Sequence, residues 1–109
     1  MRYWILIPAI FFSSLTYAQA GNDYYQRALE FKEQNDFENA LVYVRKALSF
    51  DSINAKYYDL KAECYFELRK HNEAFLACNE GIKKNPTNAI LYFRRGNVLL
   101  NIEKYNEAI

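Results

Sequence analysis

Residues 55–75, "AKYYDLKAECYFELRKHNEAF", and residues 89–109, "AILYFRRGNVLLNIEKYNEAI", are one pattern written twice. Laid over each other with a shift of 34 residues, they agree at six of 21 positions: Ala55/Ala89, Tyr58/Tyr92, Lys70/Lys104, Asn72/Asn106, Glu73/Glu107 and Ala74/Ala108. Chance gives about one identity, and a fixed period of this length marks an architecture of stacked units. The same shift reaches back to the start of the chain. It links Tyr24 to Tyr58, Ala28 to Ala62, Phe31 to Tyr65, Ala40 to Ala74 and Asn54 to Asn88, while Ala47 and Leu48 become Gly81 and Ile82.

Inside each unit the spacing is helical. Tyr24, Ala28 and Phe31 fall four and three residues apart, on one face of a helix, and Ala40, Val44 and Ala47 do the same for a second helix. Between them "EQNDF" carries turn and cap chemistry, with Asp36 in the N-cap place. Asn54 and Asn88 precede the next first helices as caps, and Pro86 stops the second unit's second helix. The pattern predicts helices over 22–34, 37–50, 55–68, 71–84 and 89–102, with a sixth beginning near Tyr105. Two antiparallel helices approach closely only where side chains are small. Ala28, Ala62 and Gly96 alternate with Ala40, Ala74 and Ala108 for that purpose, leaving Tyr24, Tyr58 and Tyr92 to fill the wider gaps as core packing.

This pattern resembles the tetratricopeptide repeat, a helix-turn-helix unit of 34 residues. With Gly21, Ala55 and Ala89 as unit starts, an aromatic stands fourth each time. Ala or Gly stands eighth, a bulky apolar residue eleventh and Ala twentieth, with Ala47 and Gly81 at the twenty-seventh place and Pro86 at the thirty-second. Two departures are Ser52 in place of that Pro in the first unit and Arg69 where the family often has Gly. The resemblance implies an all-α solenoid with units at 21–54 and 55–88 and a shortened third at 89–109. "KYNEAI" (104–109) then reads as the first turn of a helix already built twice, leaving the inner face of Tyr92, Leu99 and Ile102 partly open. The expectation is a protein that continues past Ile109, against a chain that ends there and frays.

The first twenty residues are of another kind. "MRYWILIPAIFFSSLTYAQA" has one positive charge at Arg2, an apolar stretch from Tyr3 to Phe12 and a small, polar end at Ala18-Gln19-Ala20. That is the layout of a secretory signal peptide with an A-x-A cleavage site. A membrane anchor needs about 20 mainly apolar residues, and Ser13, Ser14 and Thr16 interrupt this stretch well before that length. The expectation is export to the periplasm or the outside, with cleavage near Ala20 (or after Ala18) and membrane contact only through the transient signal.

Charge and chemistry exclude more than they propose. The whole chain is +1, but residues 21–109 carry 13 basic and 13 acidic groups and sum to zero. A neutral body without a basic block does not attract nucleic-acid phosphates. No catalytic constellation, cofactor motif or small-molecule substrate site is legible. His71 is the only His and takes a place that Phe37 and Tyr105 hold in the other units, so it reads as a partly buried spacer and not as a base or metal ligand. The Asp and Glu residues, set beside Lys and Arg on helix faces, read as solvated surface. Cys64 and Cys78 could form a disulfide in an exported chain. The repeat phase sets them about a turn out of opposition, and both places are apolar in the pattern, which favours two buried thiols.

The resemblance implies a non-enzymatic scaffold that holds a protein or peptide partner on the concave face of its first helices. The groove-facing positions carried over are Asn22, Tyr25, Leu29, Lys32 and Glu33 in the first unit. The second supplies Lys56, Asp59, Glu63, Phe66 and Glu67, and the third Ile90, Phe93, Asn97, Leu100 and Asn101. Five further-matched places hold the family's carboxylate clamp, and here Tyr25, Leu29, Leu60 and Ile90 fail it while Arg94 fits. The apolar anchors Tyr25, Leu29, Phe66, Phe93 and Leu100 point instead to an amphipathic helix or an apolar peptide. Competing readings are a structural part of a cell-envelope assembly and the sensory or regulatory N-terminal region of a longer protein.

Overall fold

The computed structural model describes the backbone of residues 3–108 and the side-chain environments of residues 15–104 and Asn106. Five helices follow one another: α1 (Tyr3–Glu33), α2 (Phe37–Phe50), α3 (Ala55–Glu67), α4 (His71–Lys84) and α5 (Ala89–Ala108). Among the described residues there is no strand. Each helix packs antiparallel on the one before it, and α3 also meets α5, which is the layering of helical hairpins stacked into a tetratricopeptide-type solenoid.

The caps expected from sequence are in place. The Asp36 carboxylate accepts from the Asn39 backbone N–H at 3.2 Å, Asn54 accepts from Lys56 N–H at 3.0 Å, and Asn88 from Leu91 N–H at 3.2 Å. Both hairpin turns end their first helix in the same way. Asn35 (φ 59°) and Arg69 (φ 62°) take the left-handed conformation. The next N–H groups, of Asp36 and Lys70, reach back to the carbonyls of Phe31 (2.9 Å) and Tyr65 (2.8 Å), the pattern of a Schellman motif.

Where the chain departs from expectation, the reason is local. α1 does not begin at residue 22 but at Tyr3, and has 31 residues against 14 in α2. Nothing between residues 9 and 20 is Gly or Pro, so no residue there stops a helix. α2 reaches back along α1 as far as Tyr17, whose ring centroid lies 6.0 Å from that of Phe50. Among the described residues no helix is long and apolar enough to cross a membrane. The sixth helix is likewise absent, because α5 runs unbroken to Ala108. Glu103 holds the place of Asn35 and Arg69, and a left-handed residue there costs about 1–2 kcal/mol. Burying one Val or Leu side chain returns about 1.5–3 kcal/mol. The described backbone makes no such turn and goes straight on to Ala108.

The core follows the small-residue pattern in the first two units. Ala28, Ala40, Ala62 and Ala74 are fully buried, with Val44, Ala47, Leu91 and Val98. Tyr58 is buried as expected and Tyr24 half-buried, stacked on Phe50 with centroids 5.7 Å apart. In the third unit the core packing expected of Tyr92 and Gly96 is not made, while the open face expected at Tyr92 and Leu99 is present. Tyr92 is 41% exposed, and a Cβ at Gly96 would meet nothing within 4 Å. These are the residues a sixth helix would cover, and Leu99 is exposed beside them; Ala108 lies outside the described side chains.

Candidate functional site

The first helices of the three units, α1, α3 and α5, share one face, and most of the carried-over positions meet on it. At one end Tyr25, Lys56, Asp59 and Ile90 line a hollow of about 180 Å³ together with Ala55 and Asn88. Toward the other end Phe66, Asn97 and Leu100 line a second hollow of about 270 Å³, with Arg94, Asn101 and Lys104, over the buried Val98. The Tyr25 ring rests against Tyr57 at 5.0 Å between centroids. Burial raises the pKa of both hydroxyls above the usual tyrosine value; the Asp59 charge adds to the effect at Tyr25 and the Asp51 charge at Tyr57. Leu29 is half-buried and packs against the core. Phe93 stands out from it, 72% exposed, in neither hollow, and Ile90 and Leu100 are 61% and 55% exposed. Asn22 and Glu33 are exposed and line neither hollow, while Glu67 sits beside Phe66 and Asn101 at the margin.

Between the two hollows runs a charge ladder that reading the sequence as solvated surface overlooked. Arg94 holds Asp59 in two-point fashion, Nε to Oδ1 at 2.7 Å and a terminal nitrogen to Oδ2 at 3.3 Å. Its other contact is Glu63 at 3.9 Å, and Glu63 in turn takes Lys32 at 3.0 Å. The ladder thus ties α1, α3 and α5 together, and all four side chains are half-buried. Burial by itself would lower the Arg94 pKa; the hydrogen bond and charge of Asp59, with Glu63 behind it, outweigh that and raise it. The signal was available in the repeat: Asp59 and Arg94 stand 35 residues apart, one period plus one, on adjacent first helices.

Two further details were illegible. The Tyr58 hydroxyl donates to the Ser52 carbonyl and the Tyr92 hydroxyl to the Pro86 carbonyl, each at 2.8 Å, so the tyrosine at the fourth place of the second and third units pins the turn that precedes it. The Asn85 amide donates to the Ile53 carbonyl at 2.6 Å, joining successive inter-unit turns.

The remaining candidates for chemistry are quiet. His71 is half-buried with its ring edge-on to Phe66, 5.3 Å between centroids. Cys64 and Cys78 are buried free thiols. Burial pushes their pKa up to about 12 and about 11, so both stay protonated and poorly nucleophilic at neutral pH. Among the described residues no three His, Cys, Asp or Glu side chains converge on a possible metal site.

Residues 33–109 match the family model described as anaphase-promoting complex, cyclosome, subunit 3, of tetratricopeptide type. The chain belongs to this tetratricopeptide-repeat family. Solved tetratricopeptide structures agree on the fold. The first such domain of Spaghetti (RPAP3), bound to the HSP90 peptide SRMEEVD, is 24% identical with a TM-score of 0.77, covering 84% of this chain and 74% of that one. The Arabidopsis OM64 domain is 22% identical at a TM-score of 0.74, covering 84% and 76%. The TPR2AB domain of yeast Sti1, in complex with an HSP90 peptide, is 19% identical at a TM-score of 0.76; 93% of this chain is covered, and only 40% of that one. At these identities the likeness is one of fold.

Proposed function

We propose that this tetratricopeptide-repeat chain is a non-enzymatic scaffold that captures a peptide or a partner's helix on the shared face of α1, α3 and α5. The observation that carries the reading is the clustering there of exposed apolar side chains, Ile90, Phe93 and Leu100, beside two hollows. Large apolar groups on a rigid helical face are the usual anchors of a recognition surface. Similar folds bind peptides: the first tetratricopeptide domain of Spaghetti (RPAP3) an HSP90 peptide and the second such domain of human RPAP3 an HSP70 peptide. The partner-binding residues are Tyr25, Leu29, Lys32, Lys56, Asp59, Glu63, Phe66, Ile90, Phe93, Asn97 and Leu100. Residues 1–20 act as a signal peptide removed near Ala20, which sends the scaffold to the periplasm or the outside of the cell.

The test is capture of partners from an extract of the source cell by the purified chain, with Phe66→Ala combined with Phe93→Ala as control. The double variant is expected to lose capture while its helicity by circular dichroism stays within about a tenth of the parent. Undiminished capture would mean the groove is placed on the wrong face.

A second reading has its own support. The open flank of α5 at Tyr92, Gly96 and Leu99 matches the α3 face (Tyr58, Ala62, Tyr65) that α4 covers. A further helix fits there, as in the N-terminal sensory, regulatory or structural segment of a longer cell-envelope protein.

A further inference from the structure

Resting on the groove reading above, we propose that this face selects an uncharged, internal peptide segment with two apolar anchors, and that Asp59 and Glu63 are the specificity-determining residues that keep acidic tails out. The argument begins with Arg94. A guanidinium on a groove floor is the natural seat for an incoming carboxylate, because its planar fork matches two oxygens at once. Here the fork is already filled in that manner by Asp59, at 2.7 and 3.3 Å. The other cation of the ladder, Lys32, is taken by Glu63 at 3.0 Å. Two cations and two carboxylates leave the centre of the face with no net charge. An acidic peptide could reach Arg94 only by displacing Asp59, setting that half-buried carboxylate against Glu63 and against the newcomer. Like charges brought together away from water oppose such binding. Lys56 and Lys104, at the rims of the two hollows, are exposed and so are screened by water and salt.

What the face offers freely is apolar or neutral: Ile90 at one hollow, Phe66 and Leu100 at the other, and the amide of Asn97, while the Asn101 amide donates to the Asn97 carbonyl. Ile90 and Leu100 stand ten residues apart on α5, about 15 Å along a helix. An extended chain covers about 3.4 Å per residue, so the matching ligand carries two apolar side chains about four residues apart, with no carboxylate between them. Those requirements differ from the acidic tails SRMEEVD and SGPTIEEVD bound to the similar folds.

The experiment is fluorescence anisotropy on the whole chain with two probes, at low and high salt. One probe is SRMEEVD with a free C-terminus. The other is a heptapeptide of Ser and Thr, capped at both ends, with two leucines about four residues apart. The capped probe is expected to bind with an affinity that salt leaves unchanged, and SRMEEVD at least about tenfold more weakly. Asp59→Asn combined with Glu63→Gln frees both cations while keeping shape. It should raise SRMEEVD affinity at least about tenfold, lost again at high salt. Should the double variant lose helicity, Asp59→Asn alone makes the same test with a smaller gain. Wild-type binding of SRMEEVD as tight as that of the capped probe overturns the selectivity and leaves the groove standing. So does a folded variant that gains nothing. Failure of both probes on both proteins removes the groove reading itself, and the proposal with it.

Discussion

At Gly81 the second unit leaves no room for a methyl group. A Cβ there would lie 2.7 Å from the Tyr58 Cβ and 3.0 Å from a Leu91 methyl carbon, and neither atom can swing away, since one is fixed to the backbone of α3 and the other is fully buried. Gly81→Ala is therefore expected to destabilise the fold by about 1–3 kcal/mol, the range for an overfilled core. Gly96 is the contrast, open to at least 4 Å on every side in mid-helix. Gly96→Ala is expected to stabilise by about 0.5–1 kcal/mol through helix propensity alone. Urea unfolding of the two variants decides the matter, and equal effects of the same sign would contradict this packing. The pair also shows what sequence could and could not tell at this scale. Both glycines stand at small-residue places of the repeat, Gly96 at the eighth and Gly81 at the twenty-seventh. Only the neighbours separate them: Gly81 has Tyr58 and Leu91 on it, and Gly96 lacks the helix that would need it small. The charge ladder was missed for a related reason, since a carboxylate on a helix face looks solvated until the next unit's arginine is laid across it.

The helices themselves were legible nearly to the residue, because each of the middle three is bounded by local chemistry. α2, α3 and α4 start and end within one residue of the spans that periodicity and caps predict. The two misplaced ends, the start of α1 and the missing turn after α5, are places where no cap or breaker stands and tertiary contact decides. One cap is unused. Lys70 precedes α4 with φ −94° and ψ 70°, almost the backbone of Asp36 before α2 (φ −94°, ψ 75°), yet its side chain makes no capping bond. The Asp36 carboxylate caps Asn39 and also takes that residue's amide at 2.7 Å. Lys70→Asp should place a carboxylate over Glu73 N–H in the same geometry and against the positive end of the helix. The expected gain is about 1 kcal/mol, read as a rise in the urea midpoint without a change in slope. A loss of stability would mean that the aliphatic part of Lys70 matters more than the missing cap.

In a solenoid each unit is held only by its neighbours, so stability is a profile along the chain and not a single number. α3 lies at the middle of that profile, packed on α2, α4 and α5, whereas α5 packs mainly on α4 and α3 and leaves Tyr92, Leu99 and Leu100 exposed. Both helices are the same element of the repeat, with Leu91 and Val98 fully buried in one and Ala62 and Cys64 in the other. What differs is the number of flanks covered. Native-state hydrogen exchange is therefore expected to show protection in α3 at least about tenfold above that in α5, a gap of about 1.4 kcal/mol. The comparison is cleanest at amides one period apart, such as those of Cys64 and Val98. Equal protection would show that α5 does not depend on its flanks and that the array behaves as one cooperative block. If the gap is present, the capped apolar probe and a covering helix give opposite signatures on α5. A groove ligand should slow exchange around Ile90 and Leu100 on the face shared with α3. A helix docked on the open flank should slow it around Tyr92, Gly96 and Leu99, closing the gap with α3 from the other side.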